Sequence, residues 1–337
     1  MPPVVVAVEE ASQVGEARRA ATTMSEALGF DERRRGDVAV VASELATNLA
    51  RYGKQGSLVL QALDRGDGSP RGIELLAVDC GPGMADPERC LTDGFSTGGT
   101  QGTGLGAVRR LSAGFALDSH VGRGTVVVAR LWREQGVAPA PAADDGGAIA
   151  IAAPGERVCG DAWEVQRRRD GGLVAVVADG LGHGQMAADA SALAIRTLRR
   201  HGAEMTPAVL LERLHDALRA TRGAAVGIVV VAGGTATFAG VGNVAGIVVT
   251  GGEQRHMVSH NGIVGHQVHK IQEFAYPCPP GALVILASDG LRTQWRLDAY
   301  PGIARRDATL VAATLWRDYT RGRDDATVVA LRMPDAA

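Results

Sequence analysis

The chain has 337 residues, 46% of them hydrophobic and 4% aromatic, with 35 Lys and Arg against 37 Asp and Glu for a formal net charge of −2. That length exceeds what one core usually covers, so two domains cored by Val, Leu, Ala and Ile are expected, and the balanced charge excludes a basic nucleic-acid binder. Lys54 and Lys270 are the only lysines and neither sits in a GKT or VAIK context, which excludes P-loop and eukaryotic-type kinase chemistry. Cys80, Cys90, Cys159 and Cys278 lack CxxC spacing, so buried thiols in a reducing compartment are expected rather than disulfides or zinc.

In chain order, a strand is expected near Val4 to Val8 and a helix from about Gln13 to Leu28. From Glu32 to Tyr52, Val38, Val41, Leu45 and Leu49 recur every three or four residues, as in a helix with one face in a core. LVLQAL and IELLAVDC read as strands separated by the turn-rich DRGDGSPRG, and VVVARLW as a last strand. The first domain, 1–133, is therefore expected to pack helices on one antiparallel sheet. The stretch EQGVAPAPAADDGGA loses apolar periodicity, so 134–147 is expected to be a linker.

The second domain, 148–337, opens with AIAIAA and continues through LVAVVAD to a helix from about Gln185 to His201. GIVVVAG, ATFAGVG, AGIVVT, ALVILASD and ATVVALRM read as further strands, with helices near Pro207 to Thr221 and Thr309 to Arg321. Gly223 to Gly252 carries no charge, yet its nine glycines and short β-branched runs fit buried strands and not a membrane span. A sheet sandwich flanked by helices is expected. MPPVVVAVEE lacks a basic leader and a long apolar core, so no signal peptide is expected and the location is cytoplasmic.

On the second helix Glu44 and Asn48 are four residues apart, so a carboxylate and an amide emerge on one face; alone, the pair reads as a solvated face. AVDCGPGM runs a strand into Asp79, then Gly81 and Gly83, whose backbones can approach a ligand closely. An acid at a strand end can accept a hydrogen bond from an adenine amino group. STGGTQGTGLGAVRRL sets Gly102, Gly104 and Gly106 before a helix, where N–H groups and the helix dipole can receive phosphates; alone, the run reads as a turn.

Taken together, SELATN, DCGPGM, DGFSTGGTQGTGLG and GRGTVVV resemble the ATP-binding fold shared by gyrase, histidine kinases and mismatch-repair ATPases. More closely, they resemble the small serine kinases of bacterial partner-switching pathways. The resemblance covers about residues 5 to 133 and implies ATP and Mg²⁺ as cofactors. It further implies Asn48 as a Mg²⁺ ligand, Asp79 reading adenine with help from Thr125, and Gly81, Gly83, Gly102, Gly104 and Gly106 shaping the nucleotide site. Glu44 would be the base that orients or deprotonates the attacking serine. No phosphoacceptor histidine box precedes the domain, so serine is the expected target rather than histidine.

In the second domain acids recur at strand ends: Asp161 in CGDAW, Asp179 and Gly180 in VVADGLGHG, Asp289 in LASDGL, Asp324 and Asp325 in RGRDDATVV. Each Asp-Gly alone reads as a turn. Converging carboxylates are costly without cations, and oxygen-only ligands suit Mg²⁺ or Mn²⁺, two of which can clamp a phosphate. The pattern resembles the type 2C (PPM-type) phosphatases of the bacterial sporulation and stress-response branch, over about residues 148 to 333. The resemblance implies that Asp161, Asp179, the Gly180 carbonyl, Asp289 and Asp324 hold two metals, with Asp324 preferred to Asp325 by its place in the motif. His183, after the DGLG turn, is a candidate acid for the leaving serine oxygen. His256, His260, His266 and His269 lack a second ligand pair and read as surface or hairpin histidines rather than zinc ligands.

The expected whole is an α/β (α+β) chain, a histidine-kinase-like ATPase α/β sandwich followed by a type 2C α-β-β-α sandwich. Its expected function is a bifunctional regulator that phosphorylates a small anti-sigma-antagonist (STAS-type) protein and dephosphorylates a partner in the same circuit, with a sigma factor or another signalling protein downstream. An alternative from the same ATP site is an ATP-dependent anti-sigma sequestering module fused to an active phosphatase. Neither nucleic acid nor membrane is an expected partner; partner identity and oligomeric state stay open.

Overall fold

The computed structural model describes residues 1–64, 71–91, 104–134, 146–202, 204–292 and 294–333. The chain forms two compact units, Met1–Pro141 and Ala142–Ala337. No helix among the described residues is long and apolar enough to cross a membrane.

In the first unit β1 (Val4–Ala7), β2 (Ser57–Leu63), β3 (Gly72–Asp79), β4 (Gly114–His120) and β5 (Gly124–Trp132) make one antiparallel sheet in the order β1-β2-β3-β5-β4. Helices α1 (Val14–Ala27) and α2 (Glu32–Tyr52) cover one face. The period of two along the strands sends Leu58, Leu60, Ile73, Leu75, Val127 and Leu131 toward Met24, Val38, Val41, Leu45 and Leu49. Each fully buried Leu or Val there contributes about 1.5–3 kcal/mol, which fixes α2 on the sheet. Asp31 caps α2 by accepting the Arg34 N–H at 2.7 Å. Two shorter helices follow, α3 (Pro87–Cys90) and α4 (Gly104–Leu111); α4 adds Leu105 and Val108 to the same core.

The second unit stacks two antiparallel five-stranded sheets. One runs β15 (Phe274–Pro277), β10 (Thr235–Val241), β9 (Ala224–Ala232), β8 (Leu173–Gly180), β7 (Asp161–Arg167). The other runs β12 (Glu253–Met257), β11 (Ala245–Thr250), β16 (Leu283–Ala287), β17 (Ala326–Arg332), β6 (Gly146–Ile151). Ala175, Val177, Val229 and Phe238 of the first meet Val248, Val284, Leu286 and Val329 of the second, and alternate residues Val174, Val176, Val226 and Ile228 face helices. Those helices are α5 (Gln185–His201) and α6 (Pro207–Ala217); α7 (Ala308–Tyr319) packs on β6 and β17. The result is an α-β-β-α sandwich.

The charge-free stretch 223–252 folds into β9, β10 and β11. Several strands go beyond the expected set. β4 is half-buried over most of its length and β7 is an edge strand of mixed polarity, so neither carries an apolar run. β12, β15 and the small hairpin of β13 (Gly262–Ile263) and β14 (Gln267–Val268) are likewise short and partly exposed. The expected helix to Thr221 stops at Ala217 and tightens into a 3₁₀ turn, Leu218–Ala220.

Candidate functional site

In the first unit, α2 carries Glu44 and Asn48 one turn apart, both half-buried. The start of α4 lies directly on them: a Cβ at Gly104 would stand 3.1 Å from Glu44 Oε2 and 3.8 Å from Asn48 Nδ2. A glycine leaves the carboxylate its room there, and the N–H groups of a helix start can receive phosphate oxygens. Gly106 is already inside α4 and buried, so it acts in packing the helix and not as part of a loop. Gly102 and the DGFSTGG stretch lie outside the described residues.

The C-terminal end of α2 leads to the other half of the site. Asp79, 9% exposed at the end of β3, accepts the Gly81 N–H at 2.6 Å through Oδ1 and pairs in register with Thr125 of β5. Gly83 has φ +69° and its Cα passes so close to the His120 carbonyl that a Cβ would collide with it. Thr125 Oγ1 shares a 2.8 Å hydrogen bond with Ser119 Oγ, which also accepts the Met84 N–H at 2.9 Å. Ser119, absent from the expected site, thus orients Thr125 and ties down the glycine turn; it sits on β4, a strand without a sequence signal. A buried strand-end acid, an acid–amide pair and a helix start suit an adenine nucleotide with its phosphates and a divalent ion.

In the second unit, four expected aspartates come together from separate elements. Asp161 opens β7 and stands opposite Asp179 at the end of β8. Asp289 follows β16 and its backbone N–H donates to the Asp179 carboxylate. Ser288 Oγ donates to Asp161 Oδ2 at 2.6 Å, and Asn243 Nδ2 donates to Asp289 Oδ2. Asp324 adds its charge to Asp179 and Asp289. Asp325 turns inward, 3% exposed, where its Oδ1 accepts the Ala153 N–H at 2.8 Å. Gly180 is pressed against Ala187 of α5 and donates its N–H to the Gly160 carbonyl at 3.2 Å.

The electrostatics follow mainly from burial. Burial pushes the Asp161 carboxyl up to about 7, against the hydrogen bond from Ser288, which pulls it down. Burial first, then the charges of Asp161 and Asp289, push Asp179 up to about 8. Asp289 is raised by burial and by Asp324, with Arg321 opposing. Burial also pushes the Cys159 thiol up, so it stays protonated beside them; all four cysteines are unpaired. Among the described residues no group of three or more His, Cys, Asp or Glu side chains closes into a ready cage.

The histidines separate. His183 is largely exposed, with Nδ1 2.5 Å from Glu156 Oε1. His260 stacks near Phe274 at 5.9 Å between ring centres, His266 Nε2 lies 3.0 Å from the Thr221 carbonyl, and His269 pairs with Gln267. Asn243 and Ser288 were missed by the sequence reading; Ser288 adjoins Asp289 in ASDGL, whereas Asn243 reaches it only because β11 pairs with β16.

Comparison with known proteins separates the two units in the same way. The profile of the histidine kinase-like ATPase domain matches residues 7–131, and that of stage II sporulation protein E (SpoIIE) matches residues 169–334. The serine/threonine-protein kinase RsbT of Bacillus subtilis (strain 168) is 37% identical over 117 residues, 34% of this chain and 86% of RsbT. A solved chain of the bacterial stressosome, described as a modular system adapted to control secondary messenger signalling, is 28% identical with a TM-score of 0.52, covering 56% of this chain and 98% of its own. RsbX solved with magnesium is 23% identical with a TM-score of 0.48, covering 55% of this chain and 93% of its own. An ATP-binding first unit follows from the first of these families. With RsbT matched across most of its length, the chain belongs to the histidine kinase-like ATPases of the RsbT serine/threonine-kinase kind, joined to a second unit that the SpoIIE family matches over residues 169–334.

Proposed function

We propose that this chain is a bifunctional cytoplasmic regulator of a partner-switching circuit. Its first unit transfers the γ-phosphate of ATP to a serine of a small STAS-type antagonist. Its second removes phosphate from phosphoserine or phosphothreonine of a partner in the same circuit, which ends on a sigma factor or another signalling protein. Joined by a linker, each unit holds the other's bound partner at roughly millimolar effective concentration.

In the first unit Asp79 accepts the adenine amino group with Thr125 beside it, and the N–H groups at Gly104 receive phosphate oxygens. Asn48 supplies an oxygen to Mg²⁺, and Glu44 orients the attacking serine and takes its proton. In the second, Asp161, Asp179, Asp289, Asp324 and the Gly180 carbonyl hold two Mn²⁺ or Mg²⁺ ions. When bound, such ions supply a water of lowered pKa and neutralise phosphate charge. Ser288 and Asn243 aim the carboxylates of Asp161 and Asp289.

The observation that supports this reading is the meeting of Asp161, opposite Asp179 in register, with Asp289 and Asp324 beside Asp179, on the same chain as an RsbT-like unit. The test uses the purified full chain with a STAS-domain protein. Label from γ-phosphate-labelled ATP should enter a serine of that protein, and Mn²⁺ should promote its release or that of a partner phosphoserine. Glu44→Ala should stop labelling and spare dephosphorylation; Asp179→Asn should do the reverse. Labelling at full rate in Glu44→Ala would remove Glu44 as the base. A wild-type chain that binds a sigma factor with ATP yet labels no STAS protein would favour the sequestering alternative.

A further inference from the structure

Resting on the phosphatase reading of the second unit, we propose that Arg222 is a substrate-binding residue there, its guanidinium receiving the phosphate of the phosphoserine. The position follows from topology. β8 and β9 pair in register, Asp179 with Ala225 and Gly180 with Ala224, so the residues just before β9 lie beside the turn just after β8. The Leu181 N–H donates to the Gly223 carbonyl at 3.0 Å, which joins the two segments. Beyond that bond, a Cβ at Gly182 would stand 3.3 Å from Arg222 Nη1, so the guanidinium lies on the turn that follows the Asp179–Gly180 pair.

The backbone under Arg222 is held from several sides. Thr221 Oγ1 donates to the Leu218 carbonyl at 2.7 Å and accepts the Gly223 N–H at 3.0 Å, while His266 Nε2 lies 3.0 Å from the Thr221 carbonyl. Gly223 takes φ +77° with Ile263, Val264 and His266 packed against its Cα, so the turn has no room to shift. The side chain is nonetheless exposed, and among the described residues its guanidinium has no hydrogen-bond or ion-pair partner. A charged fork on a fixed backbone, beside a carboxylate-rich centre, fits a phosphate dianion that must be drawn toward acids. Arg321 fills a different role: its Nε donates to the Leu291 carbonyl at 3.2 Å and its charge pulls Asp289 down. Arg219, three residues before Arg222, is paired with Asp216 and is exposed.

The test is steady-state kinetics of the full chain in Mn²⁺ on a phosphoserine peptide, with inorganic phosphate as product inhibitor. Arg222→Ala should raise both KM for the peptide and Ki for phosphate by roughly ten- to a hundredfold, the loss of a charge-assisted hydrogen bond. Arg222→Lys should recover only part of this, and Arg219→Ala should stay within about twofold of wild type, since exposed ion pairs contribute little. KM and Ki at wild-type values in Arg222→Ala, with melting temperature and Mn²⁺ affinity intact, would overturn the assignment. Should the wild-type chain hydrolyse no phosphopeptide, the phosphatase reading itself fails. Calorimetric binding of inorganic phosphate to the Mn²⁺-loaded chain then decides Arg222 separately: weaker binding in Arg222→Ala supports it, equal binding rejects it.

Discussion

The two candidate sites are built from opposite materials. In the first unit Glu44 and Asn48 come from one helix, and the strand-end Asp79 is satisfied by the Gly81 N–H. The site is set by hydrogen bonds that the protein makes with itself. In the second unit the carboxylates come from three strand ends and a turn, and their charges repel one another in a buried setting. There the missing charge belongs to the ligand. If the second site takes cations, metal binding and folding should be linked most strongly there.

The largest expected break in that contrast is Asp179→Asn. Phosphatase activity should fall by at least about a hundredfold, the upper range for residues that merely support ligands. The same change should raise the melting temperature of the metal-free chain at pH 8, because it removes a buried charge. A drop in both activity and metal-free stability would mean that Asp179 is structural. The stability of the second unit should also depend on pH in a direction that metal reverses. Unfolded carboxylates ionise near pH 4, while Asp161 and Asp179 keep protons until about 7 and about 8. Between those limits the folded state binds more protons, so stability without metal falls as pH rises, by about 1.4 kcal/mol per pH unit for each proton held. Saturating Mn²⁺ should turn the slope upward, as ligand carboxylates must be ionised to bind. Melting curves of the EDTA-treated chain from pH 5 to pH 8 check this; a flat profile counts against it.

Much of this was legible from local pattern. The apolar period of Val38, Val41, Leu45 and Leu49 located α2, and with it the shared face of Glu44 and Asn48, since spacing along one helix is geometry. Helix α5 likewise spans the residues expected of it, Gln185–His201. What escaped depends on pairing between distant segments. β7 was hidden because DAWEVQR is an edge strand with no apolar run, although its first residue, Asp161, stood out in the GD pair. Asn243 meets Asp289 across 46 residues through the β11–β16 register, and spacing along the chain cannot show that. Asp324 and Asp325 both act on the other acids, Asp324 on Asp179 and Asp325 on Asp161, while Asp325 is also held on the Ala153 N–H, again a long-range contact.

Smaller changes sharpen the contrast within each site. Asn243→Ala should lower Mn²⁺ affinity by about ten- to a hundredfold while the kinase reaction is unaffected, because it frees Asp289 from its only side-chain amide donor among the described residues. Equal Mn²⁺ affinity by calorimetry would show that Asp289 is aimed by its backbone alone. On the other side, Gly104→Ala places a methyl 3.1 Å from Glu44 Oε2, and the carboxylate must move by a few tenths of an ångström. Transfer to serine should slow by roughly tenfold, less than the hundredfold that a misplacement of about 1 Å can cost. Thermal stability should scarcely change, since the displaced atom ends a flexible side chain.

The smallest effect falls on Ser119. Its hydroxyl bridges Thr125 Oγ1, the Met84 N–H and the Gly124 carbonyl, so Ser119→Ala removes three hydrogen bonds at the proposed adenine end without touching Glu44 or Asn48. A net cost of about 1 kcal/mol, mostly in nucleotide binding, corresponds to roughly fivefold in the dissociation constant for ATP. If Thr125 helps read adenine, the loss should be larger for ATP than for a nucleotide lacking the exocyclic amino group, and the maximal transfer rate should hold. An equal loss for both nucleotides would mean that Ser119 supports the glycine turn around Gly83 and leaves base recognition to Asp79.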